Sequence, residues 1–171
     1  MTPPNRGPSL AFDATIGLGS NIGDKAANID AAITQLTARG DVQLIAASRK
    51  YRSAPWGVQD QDWFVNACIS VATALSAHAL LELCQAVESE MGRIRRQKWG
   101  PRLIDVDILT YRDALIREPD LIVPHPLITK RGFVLVPLHE VAPDLKIGGR
   151  ILAEWIAKID VADVVPFDER Q

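Results

Sequence analysis

Between Ile104 and Ile108 apolar and acidic residues alternate one for one, and this constrains the chain more than any other stretch. The segment Trp99-Gly-Pro-Arg-Leu-Ile-Asp-Val-Asp-Ile-Leu109 ends in a run of Leu, Ile and Val that reads as a strand. A strand has a side-chain period of two. Asp105 and Asp107 therefore leave one face with Cα atoms about 6.5–7 Å apart, while Ile104, Val106 and Ile108 point into a core. Two like charges on one face repel, and nothing in the alternation requires them. A divalent cation, or two, makes the pair favourable. Carboxylates are hard oxygen ligands that suit Mg²⁺ or Mn²⁺ better than Zn²⁺. Just upstream lie Arg93, Arg95, Arg96, Lys98 and Arg102, punctuated by Gly92, Gly100 and Pro101. Metal-binding carboxylates beside clustered cations suit a substrate with several phosphates. Either feature alone also fits a solvated strand edge or a wet basic loop; their coincidence favours a site.

A second alternation runs from Trp63 to Thr73. Val65, Ala67, Ile69 and Val71 share one face; Phe64, Asn66, Cys68 and Ser70 share the other. Ala14–Leu18 reads as a first strand, ended by Gly19-Ser20-Asn21. A helix follows from about Asp24, with Ile29, Ala32, Ile33 and Leu36 at helical spacing and Arg39-Gly40 as its stop. Val42–Tyr51 reads as one strand and 53–62 as a loop. Ser76 can cap a helix over Ala77–Met91 whose stripe is Leu80, Cys84, Val87 and Met91. Glu88 falls at the margin of that stripe, where a surface position is the default. Val123-Pro-His-Pro126 leads into a short helix or turn, Phe133–Glu140 is an apolar segment, and Ile151, Leu152, Trp155, Ile156 and Ile159 suggest a C-terminal helix. The order β-α-β-β-α-β predicts an α+β sandwich of the ferredoxin-like type, a largely antiparallel sheet with packed helices and C-terminal additions. Residues 1–13 read as a flexible leader, 14–160 as a single domain and 161–171 as a tail.

The net charge of −2 argues against a general nucleic-acid binder, so the basic cluster is local. Cys68 and Cys84 lie in apolar patterns without metal-ligand spacing, and no signal peptide or membrane span is read, so a reduced, cytoplasmic protein is expected. Walker-type and Rossmann glycine motifs are missing. Phe64 and Asn66 offer a stacking ring beside a donor and acceptor, which could read a flat heteroaromatic ring or belong to an ordinary sheet face under a loop. Gly17-Leu-Gly-Ser-Asn21 is Gly-rich but short. His125, stiffly held between prolines, could donate to a phosphate or be structural; His78 and His139 have no such context. A small-ligand or RNA-binding module on this fold competes with an enzyme, although the acidic pair and the lack of an RNA-stacking signature oppose it. An ordinary ATP-dependent kinase is the rival enzyme, distinguished by release of ADP rather than AMP.

From about Ala14 to Leu152 the chain resembles the 6-hydroxymethyl-7,8-dihydropterin pyrophosphokinase family of folate biosynthesis. The resemblance rests on Gly19-Ser-Asn21, Tyr51-Arg-Ser-Ala-Pro-Trp-Gly57, Gln59-Asp-Gln61, Phe64-Val-Asn66, the block from Trp99 to Asp107, Pro124-His-Pro126, Arg131-Gly-Phe133 and Pro137-Leu-His-Glu-Val-Ala-Pro143. It implies transfer of the β,γ-pyrophosphoryl group of ATP to the pterin hydroxymethyl group, releasing AMP. Asp105 and Asp107 would then bind two Mg²⁺ ions and act in catalysis with Arg93 and Arg102. Glu88, Arg93, Arg95, Lys98, Trp99, Arg102, His125 and Arg131 would form the ATP site. Phe64 and Phe133 would sandwich the pterin, Asn66 would hydrogen-bond its edge, Ser53, Ala54 and Trp56 would complete the pocket, and Trp99 would close over it. Independently of the resemblance, Arg93, Arg95, Arg96 and Lys98 repel one another between two glycines, so residues 92–100 are expected to be mobile without ligand and to order over bound ATP. The expected partners are the two small-molecule substrates, with no nucleic acid and no membrane, and a monomer is expected. Pro126 stands where some members carry Tyr, which removes one hydrogen-bond donor.

Overall fold

The computed structural model describes residues 12–57, 60–92 and 103–168. In chain order these form β1 (Ala14–Ser20), α1 (Lys25–Thr37), β2 (Val42–Ala47), β3 (Tyr51–Ser53), β4 (Phe64–Thr73), α2 (Ala77–Glu90) and β5 (Asp105–Tyr111). There follow β6 (Ile116–Glu118), β7 (Leu121–Val123), a 3₁₀ turn (Ile128–Lys130), α3 (Gly132–Val141), β8 (Lys146–Ile147), β9 (Arg150–Ile151), α4 (Leu152–Ile156) and β10 (Val165–Pro166). The main sheet runs β10-β3-β4-β1-β5, and β2 shares with β3 one edge of β4. All these pairings are antiparallel, giving the expected α+β architecture.

The two alternations sort the sheet into two faces. Ile16, Leu18, Val65, Ile69, Val71, Val106 and Ile108 point toward α1 and α2, where Ile29, Leu36, Leu80 and Val87 complete one core. Cys68 and Leu109 point the other way, toward Leu135, Leu138 and Val141 of α3 and Leu152 of α4. Both long helices begin on a side-chain cap: Asp24 accepts from the Ala27 amide and Ser76 from the Ala79 amide, each at 3.1 Å.

The structure departs from the sequence reading in four places. The strand expected over Val42–Tyr51 is two strands: the Ser48 amide still donates to the Cys68 carbonyl at 2.9 Å, but side chains take the other bonds at the break. Ser48 Oγ accepts from the Cys68 amide at 3.0 Å, and the Arg49 amide donates to Glu140 Oε2 at 2.9 Å. The apolar segment at Phe133–Glu140 is α3, which retains Pro137 because its buried side chains pack on the sheet. The C-terminal helix is short, covering only the 5 residues Leu152–Ile156 and not reaching Ile159, and follows a hairpin of β8 and β9. The margins of the described residues are bound into the fold: Phe12 and Asp13, read as leader, are buried, and Asp13 Oδ2 accepts from the Thr73 amide at 2.8 Å. Val165–Pro166, read as tail, pairs with β3, and Val161 and Val164 pack on Gly132.

Candidate active site

β1 lies between β4 and β5, and its register aligns the chemistry across three strands. Gly19 pairs with Asn66 on one side and Asp105 on the other; Gly17 pairs likewise with Cys68 and Asp107. Opposite residues in a ladder point to the same face. Asn66, Cys68, Asp105 and Asp107 thus surround two positions that have no side chain. A Cβ on Gly19 would lie 3.0 Å from Asn66 Oδ1, and one on Gly17 would lie 3.4 Å from Leu109. The two glycines form the floor of a cavity of about 350 Å³.

Ser53, Ala54, Trp56, Phe64, Asn66, Phe133, His125, Arg131, Asp105 and Asp107 all line this cavity. These are all the expected pterin-site residues except Trp99, together with the acidic pair and two expected ATP ligands. Arg93, Arg95, Lys98, Trp99 and Arg102, and with them the expected ordering of 92–100 over ATP, lie outside the described residues. Glu88 is not at the cavity wall. It is buried, 5% exposed, rather than at the surface, and its Oε1 accepts from the Val106 amide at 2.8 Å.

The polar wall is held by short hydrogen bonds. Asn66 Nδ2 donates to Ser53 Oγ at 2.7 Å, which keeps Oδ1 over Gly19 as an acceptor. Asn21 Nδ2 donates to Gln61 Oε1 at 2.8 Å, and Lys25 Nζ pairs with Asp62 at 2.9 Å while lying 3.4 Å from the Trp63 ring centroid. The Lys25 bond holds the Asp62 carboxyl below its ordinary range. This clamp fixes the residues that lead into Phe64.

A further part of the lining is cationic and aromatic. The Arg131 guanidinium carbon lies 4.4 Å from the Trp56 ring centroid and 5.6 Å from that of Phe133. Burial depresses the Arg131 pKa, while the charges of Asp107 and Asp105 oppose that shift. His125 is fixed through its backbone, whose amide donates to the Leu109 carbonyl at 2.9 Å, and through its ring, whose Nδ1 accepts from the Leu127 amide at 3.1 Å. Burial, then the Arg131 charge, push its pKa down to about 4. The ring is therefore neutral at pH 7, with its proton on Nε2.

Gly17, Gly19, Cys68, Leu109 and Val134 also line the cavity and were not among the expected site residues. A usable signal existed for the glycines: two of them, two apart in a strand, leave one face bare where something approaches closely. Cys68, Leu109 and Val134 carry no such signal, because their apolar character fits any core.

A family model described as 7,8-dihydro-6-hydroxymethylpterin-pyrophosphokinase (HPPK) matches residues 15–143. The chain belongs to this family. Among its relatives is the 2-amino-4-hydroxy-6-hydroxymethyldihydropteridine pyrophosphokinase of Methylorubrum extorquens, 48% identical over 151 residues, covering 88% of this chain and 96% of the relative. The protein of the same name from Synechocystis sp. is 36% identical over 165 residues, covering 95% and 84%. A solved HPPK-DHPS in complex with substrates shares the fold, with a TM-score of 0.69 at 14% identity, covering 86% of this chain and 43% of the other. Plasmodium falciparum HPPK-DHPS with pteroate gives a TM-score of 0.68 at 15% identity, covering 86% and 42%. This chain spans less than half the length of those two structures. The family resemblance drawn from the motifs and the ferredoxin-like fold expected from the element order are both correct. No helix among the described residues is long and apolar enough to cross a membrane.

Proposed function

We propose that the cavity between β1, β4 and α3 is the pterin pocket of this pyrophosphokinase, and that Asp105 and Asp107 at its rim hold two Mg²⁺ ions. As a family member the chain transfers pyrophosphate from ATP to the hydroxymethyl group of 6-hydroxymethyl-7,8-dihydropterin in folate synthesis. The observation that carries the residue assignment is the cross-strand row Asn66–Gly19–Asp105, which sets an acceptor, a bare floor and a carboxylate side by side.

A pterin presents donors on its amino and ring N–H edge. Asn66 Oδ1 can accept from that edge while Ser53 holds the carboxamide in place. Phe64 on β4 and Phe133 on α3 both line the cavity and can stack on the two faces of the ring. Ser53, Ala54 and Trp56 border it, and Trp99 closes the site in this reading. The hydroxymethyl arm then extends toward Asp105 and Asp107.

The donor set fits a hard divalent cation: two carboxylates share one strand face, Asp105 half-buried and Asp107 exposed. Bound there, the ions would draw charge from the phosphate oxygens and lower the barrier to transfer. Arg93 and Arg102 would oppose the charge developing on the phosphates, with Arg95 and Lys98 adding to the clamp. His125 would offer its Nε2 proton, and Arg131 a buried positive charge near both carboxylates. Glu88 would act on the nucleotide side of β5. The reading is of a cytoplasmic monomer.

The test is a nucleotide assay. ATP, Mg²⁺ and the reduced pterin alcohol should yield AMP, and chelating the cation should abolish turnover. Release of ADP, or undiminished turnover in excess chelator, would overturn the assignment.

A further inference from the structure

We infer that Val161, Val164 and Phe167 are positioning residues for the pterin pocket: they pack on the residues next to its two stacking rings, Phe133 and Phe64, and so help set how those rings face the ligand. This rests on the assignment of the cavity to the pterin.

The segment 160–167 reaches both elements that carry the rings. On α3, Gly132 stands between Arg131 and Phe133, which both line the cavity. A Cβ on Gly132 would lie 2.9 Å from Val161 Cγ1, 3.5 Å from Val164 Cγ2 and 3.6 Å from the Asp160 carbonyl oxygen. The segment therefore rests directly on the first residue of α3, closer than a side chain there would allow. It is braced by bonds of its own: the Ala162 amide donates to Asp160 Oδ1 at 2.9 Å, and the Val164 amide to the Val161 carbonyl at 3.0 Å. A residue further on, β10 pairs with Tyr51 and Arg52 of β3, next to Ser53 of the cavity wall. The Phe167 amide donates to the Lys50 carbonyl at 2.9 Å. Its ring centroid lies 5.8 Å from that of Trp63, the residue before Phe64.

The burial of these residues argues for positioning more than for filling a core. Val161, Val164 and Phe167 are half-buried, and no residue from 160 to 167 is fully buried. Their contacts fall at the starts of elements, which are the first parts to fray: Gly132 opens α3, and Trp63 immediately precedes β4. The bodies of those elements are held elsewhere, α3 by Leu135, Leu138 and Val141 in the core and β4 by its ladder with β1. Trp63 is also gripped by Lys25, 3.4 Å from its ring centroid, and by Arg52 at 4.6 Å, so Phe167 shares that task. One short segment thus touches the approach to both rings. A flat ligand between two rings binds best when their spacing and tilt are set before it arrives. The segment ties the support of one ring to the support of the other.

Double-mutant cycles on the full chain test this, with pterin affinity read by calorimetry beside a non-hydrolysable ATP analogue. Val161→Ala with Val164→Ala should weaken pterin binding about 10-fold, and Phe167→Ala about threefold, since Lys25 and Arg52 remain on Trp63. In a Phe133→Ala background the two valine changes should cost less than about twofold more, because the ring they position is gone. Phe64→Ala should cancel the effect of Phe167→Ala in the same way. A merely structural role would give losses that add. Amide exchange at Val134 and Leu135, the first turn of α3, should quicken in the valine variant. Val161→Ala alone should give the same pattern at smaller size if the pair of changes disrupts folding. Unchanged pterin affinity in the valine and Phe167 variants, or losses that simply add to those of Phe133→Ala and Phe64→Ala, would overturn the inference. If Phe133→Ala and Phe64→Ala themselves keep full pterin affinity, the pocket assignment fails. If they lose it while the valine and Phe167 variants do not, the positioning role alone fails.

Discussion

The two faces of the main sheet are built by the same strands and do opposite work. Toward α1 and α2, β1 presents Ile16 and Leu18 and β5 presents Val106 and Ile108, and the face is filled. Toward α3, the neighbouring positions are Gly17, Gly19, Asp105 and Asp107, and the face is left open as a cavity. One residue along a strand separates a core position from a site position. Stability and activity should therefore respond separately to substitutions one position apart, and the following experiments can break or sharpen that contrast.

The largest effect is expected on the open face. Asp105→Asn or Asp107→Asn removes a proposed metal ligand while nearly preserving shape, and should add several kcal/mol to the barrier. Thermal stability should hold or rise, since like-charge repulsion is relieved. AMP release and a thermal melt on each variant check this; near-wild-type turnover at saturating Mg²⁺ would remove the acids from catalysis. On the filled face, Leu80→Ala should lower folding stability by about 2–5 kcal/mol, because Leu80 is fully enclosed by the core of α1, α2 and the sheet. Its denaturant midpoint should fall while pterin affinity of the folded protein stays put. A matching loss of affinity would mean the faces are coupled.

Phe64→Ala returns to the open face with a smaller effect. It should weaken pterin binding by about 1–3 kcal/mol, by analogy with base–aromatic stacking, and leave ATP binding largely intact. Calorimetry with each ligand decides; equal losses would make Phe64 a packing residue. The smallest effect, taken per unit of pH, concerns His125. Its folded pKa, about 4, lies below the ordinary histidine value, so the unfolded chain takes up the proton first as pH falls. The stability associated with neutral His125 is thus whole above about pH 6.5 and declines as pH falls toward 4, by on the order of 1 kcal/mol per pH unit at most. NMR titration of the ring gives the check. A midpoint near 6.5 would place it in water rather than in the cavity wall.

How far the sequence revealed this contrast depended on periodicity. The β4 alternation assigned Val65, Ile69 and Val71 to one face and Phe64, Asn66 and Cys68 to the other, as observed, and the same rule paired the two aspartates. Periodicity failed where a segment has none. Phe133–Glu140 is apolar on every side, so helix and strand could not be told apart until its packing was seen. Glu88 lay at the border of a helical stripe, and its burial is decided by an amide on a distant strand. The broken strand before β4 likewise depends on Glu140, far along the chain, taking the Arg49 amide. Family motifs carried the remaining site residues, for which no local rule of spacing exists.

The bare floor at Gly17 and Gly19 has a thermodynamic consequence for the ligand above it. Settling a flat molecule on ordinary side chains freezes their rotamers, at about 0.5–1.5 kcal/mol for each long one. A surface of backbone held between two neighbouring strands has no rotamers to freeze. The ordering entropy of binding is therefore confined to the walls, at Phe64, Phe133 and Arg131, while the base of the pocket is as rigid empty as it is occupied.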